Sequence, residues 1–188
     1  MPVGIAYDRV LEDRILTKAA QEGNRRFPAN PFAIVFGAVT ITVRVLLRRF
    51  NGFGTAAAAF GDPVSLATFL GQREGATIEA LGQHLMDAIG KVVPVVPVPL
   101  VAAALQSGPT TRAELTEAVQ DLMERLEAVG AVFKLAPSGI EATVEEGLVP
   151  LLARGLIRPD FTPVPGAEAR LAFYAASIRQ RLEPVAAI

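Results

Sequence analysis

In this 188-residue chain few titratable side chains stand in a spacing that suits group-transfer chemistry. There is one histidine, His84, and no cysteine, which excludes a thiol nucleophile, thiolate metal sites and a histidine-rich metal centre. His84 stands three residues before Asp87, about one turn along an expected helix, so the carboxylate is in reach of the imidazole as in a general base and its orienting partner. A pair on a helix surface lacks the pocket and the oxyanion donors that group transfer needs, so the expectation is a structural histidine and no catalytic residue. Basic side chains gather at Arg25, Arg26, Arg44, Arg48 and Arg49. Asp8 and Glu12 follow the first apolar stretch and read equally as strand-end contacts or as solvated loop charges.

The element that must position Asp8 is the opening stretch, Met1 to Tyr7. Val3, Ile5 and Tyr7 alternate with Pro2, Gly4 and Ala6, which predicts a strand with one bulky apolar face and one nearly bare face. Glycine or alanine on a strand marks a place where a ligand or another backbone comes close. Arg9 to Arg26 is polar and mixed in charge, with a turn signal at Gly23-Asn24. The apolar run 31–43 is too short to cross a bilayer and is closed by Arg44, Arg48 and Arg49. It reads either as a core helix with a solvated basic end or as a helix at a membrane surface, where these arginines meet anionic headgroups. After a turn at Asn51-Gly52, Phe53 to Phe60 is expected to be a short buried strand, and 72–75 to be a linker.

The second half is punctuated for helices. Thr77 is an expected cap for a helix carrying Ile78, Leu81, Leu85 and Ile89 and stopped by Gly90. Pro94, Pro97 and Pro99 forbid one helix across Val92 to Leu105, but a helix starting at Pro97 or Pro99 fits, since proline is tolerated in a first turn. Thr111 and Glu114 have capping-box spacing before the stripe Leu115, Val119, Leu122, Leu126 and Val129. Ser138 and Glu141 repeat that signal, and Pro150 predicts a kink or an early stop in the helix that follows. A short strand fits within 156–165, and a last helix presents Leu171, Tyr174, Ile178 and Leu182.

Several of these segments, in this order, resemble one enzyme family. Met1-Pro2-Val3-Gly4-Ile5-Ala6-Tyr7-Asp8-Arg9-Val10-Leu11-Glu12 resembles the late motif of glycerol-3-phosphate acyltransferases, an apolar strand followed by Tyr-Asp-x-Val-x-Glu. Phe60-Gly-Asp-Pro-Val-Ser-Leu66 is similar to the family's Phe-Gly-Glu-Pro-Ile-Ser-Leu, with Asp62 in place of Glu. Val95 to Ala102 resembles its Pro-Val-x-Leu-Val-Ala segment, and Leu171 to Ile178 its closing helix, with Ala176 where Asn is usual. The resemblance implies acyl transfer from acyl-CoA or acyl-carrier protein to glycerol 3-phosphate, with no cofactor beyond that co-substrate. It places Pro2, Val3, Gly4, Tyr7 and Asp8 beside the substrates. The family's chemistry uses a His-x4-Asp motif and a Phe-x-Glu-Gly-x-Arg phosphate motif. Neither occurs here: Ala88 is the fourth residue after His84, and Ile89 stands where the Asp would follow.

The expected fold class is therefore α/β: residues 1–71 as the C-terminal end of an acyltransferase core, a few strands and one helix, and 76–188 as a mainly helical domain. The expected partner is an N-terminal acyltransferase portion carrying the catalytic motif. The expected location is the cytoplasm, with peripheral contact on the inner face of the membrane through Arg44, Arg48 and Arg49 left open. Two other readings stand beside this one, a non-catalytic helical interaction module and a winged-helix DNA-binding unit. The net charge of −1 gives no steering toward nucleic acid, and from Val95 onward eight basic residues face eleven acidic ones. No nucleic-acid partner is expected.

Overall fold

A computed structural model describes residues 1–10, 13–23, 55–72 and 77–182. Two compact units are formed, Met1–Asp8 with Thr55–Ile188, and Arg9–Gly54. In the latter, α1 (Asp13–Glu22) is held by local bonds, including an exposed Lys18–Glu22 pair one turn apart at 3.7 Å. The expectation of a polar, mixed-charge stretch did not include this helix, although Leu16, Lys18, Ala19, Ala20, Gln21 and Glu22 are good helix formers. The apolar run 31–43, the five arginines at 25, 26, 44, 48 and 49, Glu12 and the Asn51-Gly52 turn lie outside the described residues.

The larger unit is mainly helical with one small antiparallel sheet. β1 (Val3–Tyr7) pairs with β2 (Ala56–Phe60), Val3 opposite Phe60 and Tyr7 opposite Ala56. Helices α2 (Leu66–Gln72), α3 (Ile78–Val92), α4 (Pro97–Ala104), α5 (Arg112–Ala128), α6 (Ile140–Ala153) and α7 (Glu168–Leu182) follow. The expected linker at 72–75 begins on the last residue of α2, and 73–76 lie outside the described residues.

The core forms around α4, whose sequence Pro-Val-Pro-Leu-Val-Ala-Ala-Ala is apolar on every side. Such a helix must be buried, and Val98, Leu100, Val101 and Ala102 are, with α5, α6 and α7 packed around them. At Gly147 of α6 a Cβ would lie 2.7 Å from the Pro97 carbonyl oxygen, so glycine sets how closely α6 approaches α4. Leu115, Val119 and Leu126 of α5 point into this core, as do Val144, Leu148 and Leu151 of α6 and Leu171, Tyr174 and Ile178 of α7.

Helix starts follow the capping chemistry with instructive departures. Thr77 accepts from the Ala80 N–H at 3.2 Å, and Thr111 from the Glu114 N–H at 3.2 Å. Glu114 reaches back past its own cap, and its Oε2 accepts from the N–H and hydroxyl of Thr110 at 2.7 and 2.9 Å. Ser138 does not cap α6. Gly139 takes that place at φ 98°, a left-handed conformation that disfavours a side chain. Pro150 does not stop α6, which continues to Ala153 as Arg154 N–H donates to the Pro150 carbonyl at 3.1 Å.

Three expectations about burial are corrected. The α3 stripe is not core: no residue of α3 is buried, Ile78 is 85% exposed, and the helix runs through Gly90 to Val92. Val129 lies at the exposed C-cap of α5. β2 is not the buried strand expected: Phe60 is exposed, as are Val3, Ile5 and Tyr7 of β1 on the same face, and only the bare faces look inward. The short strand expected near 156–165 is a minimal hairpin, Ile157 opposite Pro163, turning at Phe161 with φ 66°.

Candidate functional site

Of the five site residues expected from sequence, Pro2, Gly4 and Asp8 face inward, while Val3 and Tyr7 face outward. Gly4 sits directly on the α3–α4 elbow. A Cβ there would lie 2.5 Å from the Val92 carbonyl carbon and the Val93 Cα, so only glycine lets the two backbones meet. Gly61, just past β2, is under similar constraint, with Val92 Cγ1 at 2.7 Å and Pro2 Cγ at 2.9 Å from where its Cβ would be. The near-bare face of β1 therefore meets protein backbone. Ala6 and Ala57 complete the contact by packing with Val96 and the partly buried Val93.

Asp8 is the polar centre of this joint and is only 8% exposed. Its Oδ1 accepts from the Val98 N–H at 3.2 Å, and its Oδ2 from the Thr55 N–H at 3.3 Å. Asp8 N–H in turn donates to the Thr55 carbonyl at 2.9 Å, extending the β1–β2 ladder by one step. Val98 lies in the first turn of α4, between Pro97 and Pro99, neither of which has an N–H. Residues 97–99 therefore offer one donor, and Asp8 takes it. A carboxylate placed there also faces the positive end of the helix dipole. Burial pushes the Asp8 carboxyl above its usual range, and the bonds from Val98 and Thr55 partly oppose that. The solvated-charge reading of Asp8 is thus replaced by a buried helix cap.

The elbow is gripped at its other end by Arg181 of α7. The guanidinium donates to the Gly90 carbonyl at 2.8 Å and the Val93 carbonyl at 2.6 Å, closing the C-terminus of α3. A cation suits that end of a helix. Between these grips, Val95 N–H donates to the Val132 carbonyl at 2.7 Å, and Lys134 N–H to the Val95 carbonyl at 2.8 Å.

His84 is not brought together with Asp87. Its ring packs on Phe69 of α2 with centroids 5.2 Å apart, while Asp87 Oδ1 accepts from Gln83 Nε2 at 2.7 Å. The geometry supports the structural reading.

Sequence reasoning missed the cap that Asp8 makes. The signal was present: two prolines in one first turn leave a single N–H at Val98, and that buried donor needs an acceptor. Nothing in the sequence said the acceptor would lie ninety positions earlier. Arg181 carried no comparable signal, being one of three arginines near the chain's end.

The family model of the glycerol-3-phosphate acyltransferase C-terminal region matches residues 39–164, about two-thirds of the chain. The chain belongs to this family. Comparison with curated proteins gave no match. The match to the acyltransferase region includes β2, the Gly61 turn, the elbow and α4, so it contains the surfaces on which β1 rests. β1 itself and α7 lie outside the matched residues.

Proposed function

We propose that this chain is the C-terminal part of a glycerol-3-phosphate O-acyltransferase of phospholipid synthesis, and that it does not transfer acyl groups by itself. The family match over residues 39–164 carries the first half of this reading. The second half rests on the sequence, in which the only histidine is not followed by the Asp of a His-x4-Asp motif, and on geometry, since His84 packs on Phe69. A general base must first be within hydrogen-bond reach of its proton and of the group that orients it. In the reaction, the acyl group of acyl-CoA or acyl-carrier protein passes to the first hydroxyl of glycerol 3-phosphate. The base and the phosphate-binding residues come from an N-terminal acyltransferase portion, the proposed partner.

Within that assembly the motif residues divide their work. Pro2, Gly4 and Asp8 seat β1 on the helical core, and Val3 and Tyr7 stand on the outward face toward the substrates. Exposure of Val3, Ile5, Tyr7 and Phe60 on that face favours an apolar partner layer there. The proposed location is the cytoplasm, with peripheral contact at the inner membrane face through Arg44, Arg48 and Arg49. Among the described residues no helix is long and apolar enough to cross a membrane.

The test is an assay of the purified chain with glycerol 3-phosphate and an acyl thioester. The expected result is no acylated product above the no-protein control. Turnover that persists in His84→Ala would reveal an active site elsewhere in the chain and overturn the non-catalytic reading.

A further inference from the structure

We propose that the β1–β2 ribbon is a strap that opens as a unit of its own, latched to the helical core by the Asp8 carboxylate. An isolated two-stranded ribbon is at best marginally stable in water, so what holds this one is its seat. That seat is small. The inward apolar side chains are Pro2, and Ala6 and Ala57 against Val96 and Val93, and at Gly4 backbone meets backbone with no side chain between. Apolar stabilisation scales with the area removed from water, and two alanines and one proline remove little. On the outward face Ile5 is 52% and Phe60 66% exposed, so among the described residues that face adds no second anchor.

Against this thin contact the Asp8 bond to Val98 is the specific connection to the core, and the Asp8 bond to Thr55 ties the second strand to the same carboxylate. They also sit where the chain leaves the unit, after Asp8, and re-enters it, at Thr55. One carboxylate thus fastens both crossings to the start of α4. Opening the strap exposes the Val98 N–H and the small face of Val96 but leaves intact the core that α4 forms with α5, α6 and α7. The free energy of such an opening should lie below that of global unfolding. The importance of the strap for acyl transfer rests on the acyltransferase reading, because β1 carries Val3 and Tyr7. The opening itself does not depend on it.

Hydrogen exchange of the whole chain, read by mass spectrometry without substrate, tests the strap. In the wild-type protein, peptides from 3–7 and 56–60 should exchange by an opening that precedes exchange in α5 and α6 as urea rises below the unfolding transition. Asp8→Ala should speed exchange in the two strands by about ten- to a hundredfold, leaving α5 unchanged. Gly4→Ala should give the same local pattern by pushing the strand off the elbow. Equal acceleration of the strands and α5 in these variants, or a shared urea dependence in the wild-type protein, would overturn the proposal. If Asp8→Ala does not fold, the wild-type urea series decides alone. Exchange is measured without turnover, so its outcome is separate from that of the acyltransferase assay.

Discussion

Asp8 and Glu114 are both helix-start carboxylates, and their surroundings push them in opposite directions. Asp8 is buried at the joint, which raises its carboxyl above the ordinary value, whereas exposed Glu114 is lowered by the donors of Thr110. By linkage, a raised folded value gives stability that is full below the unfolded value and is lost as pH rises through the folded one. A lowered folded value gives stability that is present above the unfolded value and lost as pH falls. Urea midpoints followed across the carboxylate range should therefore show two opposite trends. Wild type should lose stability relative to Asp8→Asn as pH rises, and lose its advantage over Glu114→Gln as pH falls. Parallel trends for the two variants would contradict the assigned surroundings. At the same scale, the spacing of Thr111 and Glu114 was readable as a cap, while the partner of Asp8 was not. Thr111 finds its donor three residues away, but Asp8 finds Val98 only after the chain has folded back.

At the scale of elements, α3 and α4 are neighbours with opposite fates. α3 has the clearer amphipathic spacing and buries nothing, while α4 lacks a polar face and is almost wholly buried. The lack of a polar face on α4 is itself a burial signal, because a helix apolar all round has no side to give to water. An amphipathic stripe says only that a helix prefers to cover one face, and α3 leaves Ile78 and Leu85 of that face exposed and the rest half-buried. Leu100→Ala should cost about 2–5 kcal/mol, because a fully buried side chain leaves a cavity among α5, α6 and α7. Ile78→Gln should change stability by less than about 0.5 kcal/mol. Chemical denaturation of both variants checks the contrast, and a large loss from Ile78→Gln would mean that α3 is buried in solution. Pro150 teaches a related lesson. Proline removes one N–H and crowds one carbonyl, yet α6 tolerates both because Val144, Leu148 and Leu151 are fixed by the core on either side.

At the scale of the whole molecule, association with other surfaces is the property to measure. Flotation with vesicles containing anionic lipid should carry the chain upward at low salt and release it as salt rises, if the arginines at 44, 48 and 49 act as proposed. Failure to float on anionic vesicles would remove the membrane contact and leave the family assignment standing. How the chain is built divides cleanly by the range of the interactions involved. The sequence by itself determined the helix starts at Thr77 and Thr111, the break across Pro94 to Pro99, the strand alternation of Val3 to Tyr7, and the family resemblance. Each depends on residues a few positions apart, or on their order along the chain. Only the tertiary structure decided which face of β1 is inside, that no residue of α3 is fully buried, and that Asp8 and Arg181 grip the two ends of one elbow. Alternation shows that a strand has two faces, but the choice between them is made by what arrives from elsewhere. Here a backbone arrives at Gly4, where the lack of a side chain leaves room for it.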